Sequence, residues 1–154
     1  MTKKTKISAA EVKSLREKTG ASVMECRRAL LECGGDFEKA IDYLKKRGSE
    51  KALKKAERKT TEGVIAAYIH SNKKIGAMVE LRCETDFVAR NAEFGELAYD
   101  IAMHVAAMGS VDADSLLAQP FIKNENVTID SLVKEKISKL GENIQIGSFA
   151  RFEI

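Results

Sequence analysis

The hydrophobic period of the chain changes once, near residue 60, and that change limits the folds open to it. Before it, apolar residues recur every three or four positions. Val23, Cys26, Leu30 and Cys33 form one such stripe, and Phe37, Ala40, Ile41 and Leu44 form another. After it, in "IGAMVELRC", Ile75, Ala77, Val79, Leu81 and Cys83 alternate with Gly76, Met78, Glu80 and Arg82. The first spacing is that of a helix with one buried face, the second that of a strand. Helices first and strands later predict an α+β protein, not an alternating α/β one.

The first half predicts three short helices. Ser8 opens "SAAE" and Ser22 opens "SVME", two capping boxes closed by Glu11 and Glu25. Gly20 follows the first helix, and Gly34 and Gly35 the second. Asp36 is placed to cap the third, with Gly48 as its stop. A three-helix domain over residues 1–48 follows. "SEKALKKAERKTTE" is rich in good helix formers and lacks an apolar face, so residues 49–60 read as a helical linker.

Residues 61–154 form the second domain. "VIAAYIH" and "IGAMVELRC" are strands joined by "SNKK". Phe94, Leu97, Ala98, Ile101, Ala102, Val105 and Met108 line a long helix. Residues 110–129 lack a period and hold the only proline, Pro120. Leu132, Val133, Ile137 and Leu140 mark another helix, stopped by Gly141. "NIQIGSFARFEI" closes the sheet, with a bulge expected at Gly147 and Ser148. The expected core is a three-stranded, mainly antiparallel sheet with helices on one face.

Composition narrows the function. The longest apolar runs are far too short to span a bilayer, and no apolar segment follows the basic start "MTKKTK". Three irregularly spaced cysteines point to a reducing compartment, the cytoplasm being the simplest. Cys26 and Cys33, or His70 and Cys83 if they faced each other across the hairpin, lack the spacing of a metal site. No phosphate-binding glycine loop and no nucleophile motif appears, so neither a bound cofactor nor covalent catalysis is expected.

Charge is uneven. Residues 1–60 hold 17 Lys/Arg and 9 Asp/Glu, net +8, which leaves −5 for the remainder of the total +3. A basic helical half raises nucleic-acid binding, but acidic residues interrupt its helices and it lacks an aromatic stacking platform. The excess fits a solvated surface or an anionic partner equally well.

Two features point to a docking function. Met24 and Leu31 lie off the stripe of the second helix, flanked by Arg27 and Arg28. Either another helix covers them or they form an apolar spot with a basic rim. The second feature is "CETDFVARN". Thr85 can cap a helix, with Asp86 in its first turn. Phe87, between Asp86 and Val88, then either packs inward as a staple or stands out for another molecule.

"VKSLREKTGASVMECRRALLECGGDFEKAIDYLKKRG" resembles the amino-terminal domain of the elongation factor Ts family. "KKAERKTTEGVI", "VELRCETDFVARNAEF" and "KLGENIQI" resemble its core, in the same order. The likeness implies a ubiquitin-associated-like three-helix domain joined to a single short core. It implies a guanine-nucleotide exchange factor for the GTPase elongation factor Tu, acting without covalent chemistry. Leu15, Arg16, Val23 and Met24 would dock the amino-terminal domain on the GTPase. Thr85, Asp86, Phe87 and Val88 would form a wedge near its magnesium and phosphate site, with Leu140 and Gly141 as a neighbouring contact. No direct nucleic acid or membrane partner is implied. Short single-core members pair as homodimers, a pairing also open to this chain through its sheet. Two departures stand out: Val23 replaces the family's usual methionine, and Gly147 and Ser148 replace basic residues after the "GENI" strand. A ubiquitin-like or other polypeptide-binding module is the alternative reading.

Overall fold

Ser8 opens the first helix in the computed structural model, which describes residues 6–154. The first five residues of the 1–48 unit lie outside them. The Ser8 hydroxyl accepts the Glu11 N–H at 3.2 Å and the Glu11 carboxylate accepts the Ser8 N–H at 2.7 Å, so the capping box is complete. It starts α1 (Ala9–Thr19), which Gly20 ends in the left-handed conformation. α2 (Val23–Glu32) is capped by Ser22. Here Glu25 does not reach back to the backbone of Ser22; its carboxylate pairs with Lys51 on the next helix.

α3 (Phe37–Lys55) corrects one expectation. It does not stop at Gly48. A β-carbon at Gly48 would meet Ser138 at 3.5 Å, an ordinary van der Waals contact, so α3 passes beside another helix there without requiring a glycine. The cost of Gly48 in helix propensity, about 1 kcal/mol, is offset by packing along α7 (Ile129–Leu140). The same helix therefore serves two clusters. Ala40 and Ile41 pack with Val12, Leu15, Cys26, Ala29 and Leu30, whereas Ala52 belongs to the larger cluster that holds α7 and the sheet.

β1 (Glu62–Ile69) and β2 (Ile75–Cys83) form the expected hairpin, and β5 (Ile144–Glu153) pairs antiparallel with β2. The order is β1-β2-β5. Register jumps between Val79↔Phe149 and Leu81↔Ile146, which places the bulge at Gly147 and Ser148. The Ser148 N–H donates to the Glu80 carboxylate at 3.1 Å. Cys83 pairs with Glu62 while His70 sits at the hairpin turn, so this cysteine and histidine do not face each other.

α5 (Ala92–Met108) covers one face of β1 and β2. Phe94, Leu97, Ala98, Ile101, Ala102 and Val105 are all buried, as the stripe predicts; Met108 is exposed. Gly95 closes the first turn of α5, with open space around its missing β-carbon. Gly95→Ala is therefore expected to raise stability by about 0.5–1 kcal/mol, read as a higher urea midpoint at unchanged slope.

Residues 110–129 are more regular than their sequence suggests. They hold α6 (Ala113–Ala118) and a ribbon of β3 (Pro120–Phe121) and β4 (Asn124–Thr128). Buried His104 ties them to α5. Its Nε2 lies 2.8 Å from Gln119 Oε1 and its Nδ1 accepts the Ile122 N–H at 3.3 Å, an arrangement for the neutral ring. Burial pushes its pKa down, outweighing the Gln119 hydrogen bond. The unfolded chain then takes up a proton that the folded chain resists. Stability from this site is present above the unfolded value near 6.5 and is lost as pH falls below it. The urea midpoint should drop between pH 7.5 and 5.5, and His104→Gln should flatten that slope.

Candidate functional site

β2 ends at Cys83, and after Glu84 and Thr85 the chain starts a single helical turn, α4 (Asp86–Ala89). Thr85 caps it, its hydroxyl accepting the Val88 N–H at 3.4 Å. One turn has room for only one inward face. Val88 and Ala89 take it, packing against the sheet core. Phe87 points away and is 84% exposed. The inward staple is therefore not formed. Asp86 pairs with Arg90 at 3.1 Å; both are exposed, so the pair adds little stability.

The turn is braced from across the chain. Gly141 takes the left-handed conformation that ends α7, with φ of 81°, and directs Glu142 back towards β2. The Glu142 carboxylate accepts the N–H groups of Glu84 and Thr85, each at 3.0 Å, and the Thr85 hydroxyl as well. In return the Glu84 carboxylate accepts the Asn143 N–H at 2.7 Å. Each turn thus satisfies the free backbone donors of the other. Asn143 is buried, and its amide donates to the carbonyls of Ala56 and Arg58, just past α3, at 3.3 and 2.9 Å.

Cys83 lies beneath this junction. Burial, then the charge of Glu142, pushes its thiol up to about 11, so it stays protonated. Its Sγ donates to the Thr85 carbonyl at 3.2 Å. This thiol stabilises the turn and is no nucleophile. Among the described residues no cluster of three or more metal-ligating side chains occurs, and no helix is long and apolar enough to cross a membrane.

Thr85, Asp86, Phe87 and Val88 thus stand beside Leu140 and Gly141, which the Glu142 contacts bring to the same end of the sheet. Leu140 is partly buried against the core. Arg16, Val23 and Met24 belong to the separate three-helix cluster. All three are exposed, Met24 to 72%. Val23 therefore leaves the core stripe assigned to it, and among the described residues no helix covers Met24 or Leu31. Leu15 is corrected too: it is fully buried under α2 and α3, where it supports the helix that carries Arg16 without facing a partner. Sequence reasoning missed Glu84, Glu142 and Asn143. The available signal was an acidic residue beside each of two turns, "ETD" and "GEN".

The family model for elongation factor TS matches residues 84–154, from the start of this junction to the end of the chain. Elongation factor Ts of Oleidesulfovibrio alaskensis is 43% identical over 193 residues, covering 96% of this chain and 98% of that protein. The chain belongs to the elongation factor Ts family. That of Fervidobacterium nodosum is also 43% identical over 193 residues, with 96% and 98% covered. Elongation factor Ts, chloroplastic, of Guillardia theta is 43% identical over 194 residues, covering 96% and 89%. Membership makes the chain a translation elongation factor. An alignment of 193 columns against 154 residues leaves at least 39 (193 − 154) without a counterpart here. The chain is thus shorter than these relatives.

Proposed function

We propose that this chain is a guanine-nucleotide exchange factor of elongation factor Tu, with the Phe87 turn as the element that opens the nucleotide site. One observation carries the reading: a large apolar side chain is 84% exposed on a turn braced by hydrogen bonds from a distant loop. Exposing Phe87 gains the free chain nothing, and bracing it removes the entropy cost of ordering it on contact. Asp86, Thr85 and Val88 shape the turn, and Leu140 and Gly141 flank it. Arg16, Val23 and Met24 supply a second contact. Leu15 serves that contact from inside.

The mechanism is linkage without covalent chemistry. A wedge that disturbs the magnesium and phosphate site of the GTPase removes the charge neutralisation that holds GDP. If the factor binds nucleotide-free Tu more tightly than Tu·GDP, GDP binds the complex more weakly by the same factor. A loss of ~5 kcal/mol is roughly 10⁴-fold. GTP then refills the site by concentration alone. The basic amino-terminal half speeds encounter with an acidic partner surface, with no nucleic acid required. The reaction belongs in the cytoplasm, where translation runs.

The division at 1–48, 49–60 and 61–154 is part of this proposal, supported by two separate hydrophobic clusters. So is a homodimer: Ile65, Ile69, Met78 and Phe152 are exposed on the three strands, on the side away from α5. Calorimetry tests the exchange reading. The ratio of this chain's affinities for nucleotide-free and GDP-bound Tu should equal the ratio of GDP's affinities for free and factor-bound Tu. Equal affinity for the two forms of Tu would refute it.

A further inference from the structure

We infer that Glu142 is a positioning residue that holds the Phe87 turn in its outward form, and that Asn143 fastens this turn to the end of α3. The inference rests on the exchange reading for its kinetic consequence but not for its structural one. Three donors converge on one carboxylate: the N–H groups of Glu84 and Thr85, and the Thr85 hydroxyl. That same hydroxyl accepts the Val88 N–H. Thr85 therefore passes the position of Glu142 directly into the first turn of α4, whose outward residue is Phe87. Glu84 lies beyond the end of β2, so no strand partner fixes this segment.

The return contacts make the junction two-sided. Glu84 accepts the Asn143 N–H and is 3.5 Å from Arg58, whose carbonyl accepts the Asn143 amide. The segment after α3 and the Phe87 turn are thus held by one short loop, residues 142–143. The amino-terminal contact surface and the wedge then move as one body. An exchange factor needs that if two separated contacts are to act on one GTPase in a single docked pose.

Glu142→Ala removes the acceptor for all three donors. Glu142→Gln keeps the side-chain shape and one oxygen able to accept both N–H groups, so it is the rescuing substitution. Release of a fluorescent GDP analogue from elongation factor Tu should be followed at saturating factor for both variants, for Phe87→Ala, and for Phe87→Ala combined with Glu142→Ala. Glu142→Ala is expected to lower the maximal rate about tenfold, the scale of losing hydrogen bonds to a charged group. Glu142→Gln should restore most of it. On the Phe87→Ala background Glu142→Ala should add nothing, because both act through one side chain.

In the free chain, amide hydrogen exchange gives a partner-independent result. The Glu84 and Thr85 amides should exchange about tenfold faster in Glu142→Ala, with those of Leu97 and Ile101 unchanged. A wild-type rate in Glu142→Ala, an additive loss in the double variant, or faster exchange throughout the core would overturn the inference. Should the wild-type chain fail to accelerate release, the exchange reading falls. The two amides then still decide the latch, and unchanged protection at both would end it.

Discussion

Phe87→Ala is expected to leave the chain as stable as before and, on the exchange reading, to remove most of the GDP-release activity. The side chain is 84% exposed, so its loss should move unfolding by no more than about 0.5 kcal/mol. Its partner-side effect is large because an aromatic anchor at the centre of a docked surface is worth about 2–3 kcal/mol on truncation, roughly 30- to 150-fold in rate. Thr85, Glu142 and the inward packing of Val88 remain, so the turn itself survives. Stopped-flow release of labelled GDP beside a thermal melt of the same sample checks both halves. A destabilised variant, or one with full activity, contradicts the assignment.

Phe94→Ala should do the reverse. Seven residues further on, Phe94 is fully buried in the cluster between α5, the sheet and α7. Truncating a buried phenylalanine costs about 3–5 kcal/mol because the cavity only partly collapses. Out of a typical total of about 5–15 kcal/mol, that lowers the melting temperature by roughly 6–20 °C. At low temperature the folded fraction still presents Phe87, and its exchange activity per folded molecule should be near wild type. Denaturant melts combined with release rates corrected for folded fraction test this. Two phenylalanines on consecutive helices therefore separate stability from function.

Long elements were legible because their period repeats. The α5 stripe from Phe94 to Val105 and the alternation of β2 each supply several concordant positions, and both are found as expected. Gly48 misleads because local propensity says stop, whereas the packing of α3 along α7, some ninety residues on in sequence, favours continuing. The ribbon at residues 120–128 has strands too short for any period to show. Family likeness marked both Leu15 and Val23 as contacts, whereas helical spacing marked Val23 as core. Burial places the first inside and the second outside.

The site was half legible. "TDF" announced a capped turn, but one helical turn cannot say which way Phe87 points. That direction is set by Val88 packing inward and by Glu142, 57 residues beyond Thr85. No pattern local to residues 83–91 contains that partner. The "GEN" turn could be matched to the family, yet its role as a brace appears only when α7 and β2 are placed side by side.

The central claim is that this chain opens the nucleotide site of elongation factor Tu, and the most direct test is the release rate of a fluorescent GDP analogue from Tu as the chain is titrated in. The account predicts a rate that rises with concentration and saturates far above the intrinsic value. A release rate that stays at its intrinsic value, at concentrations where the two proteins are shown to bind, would contradict it.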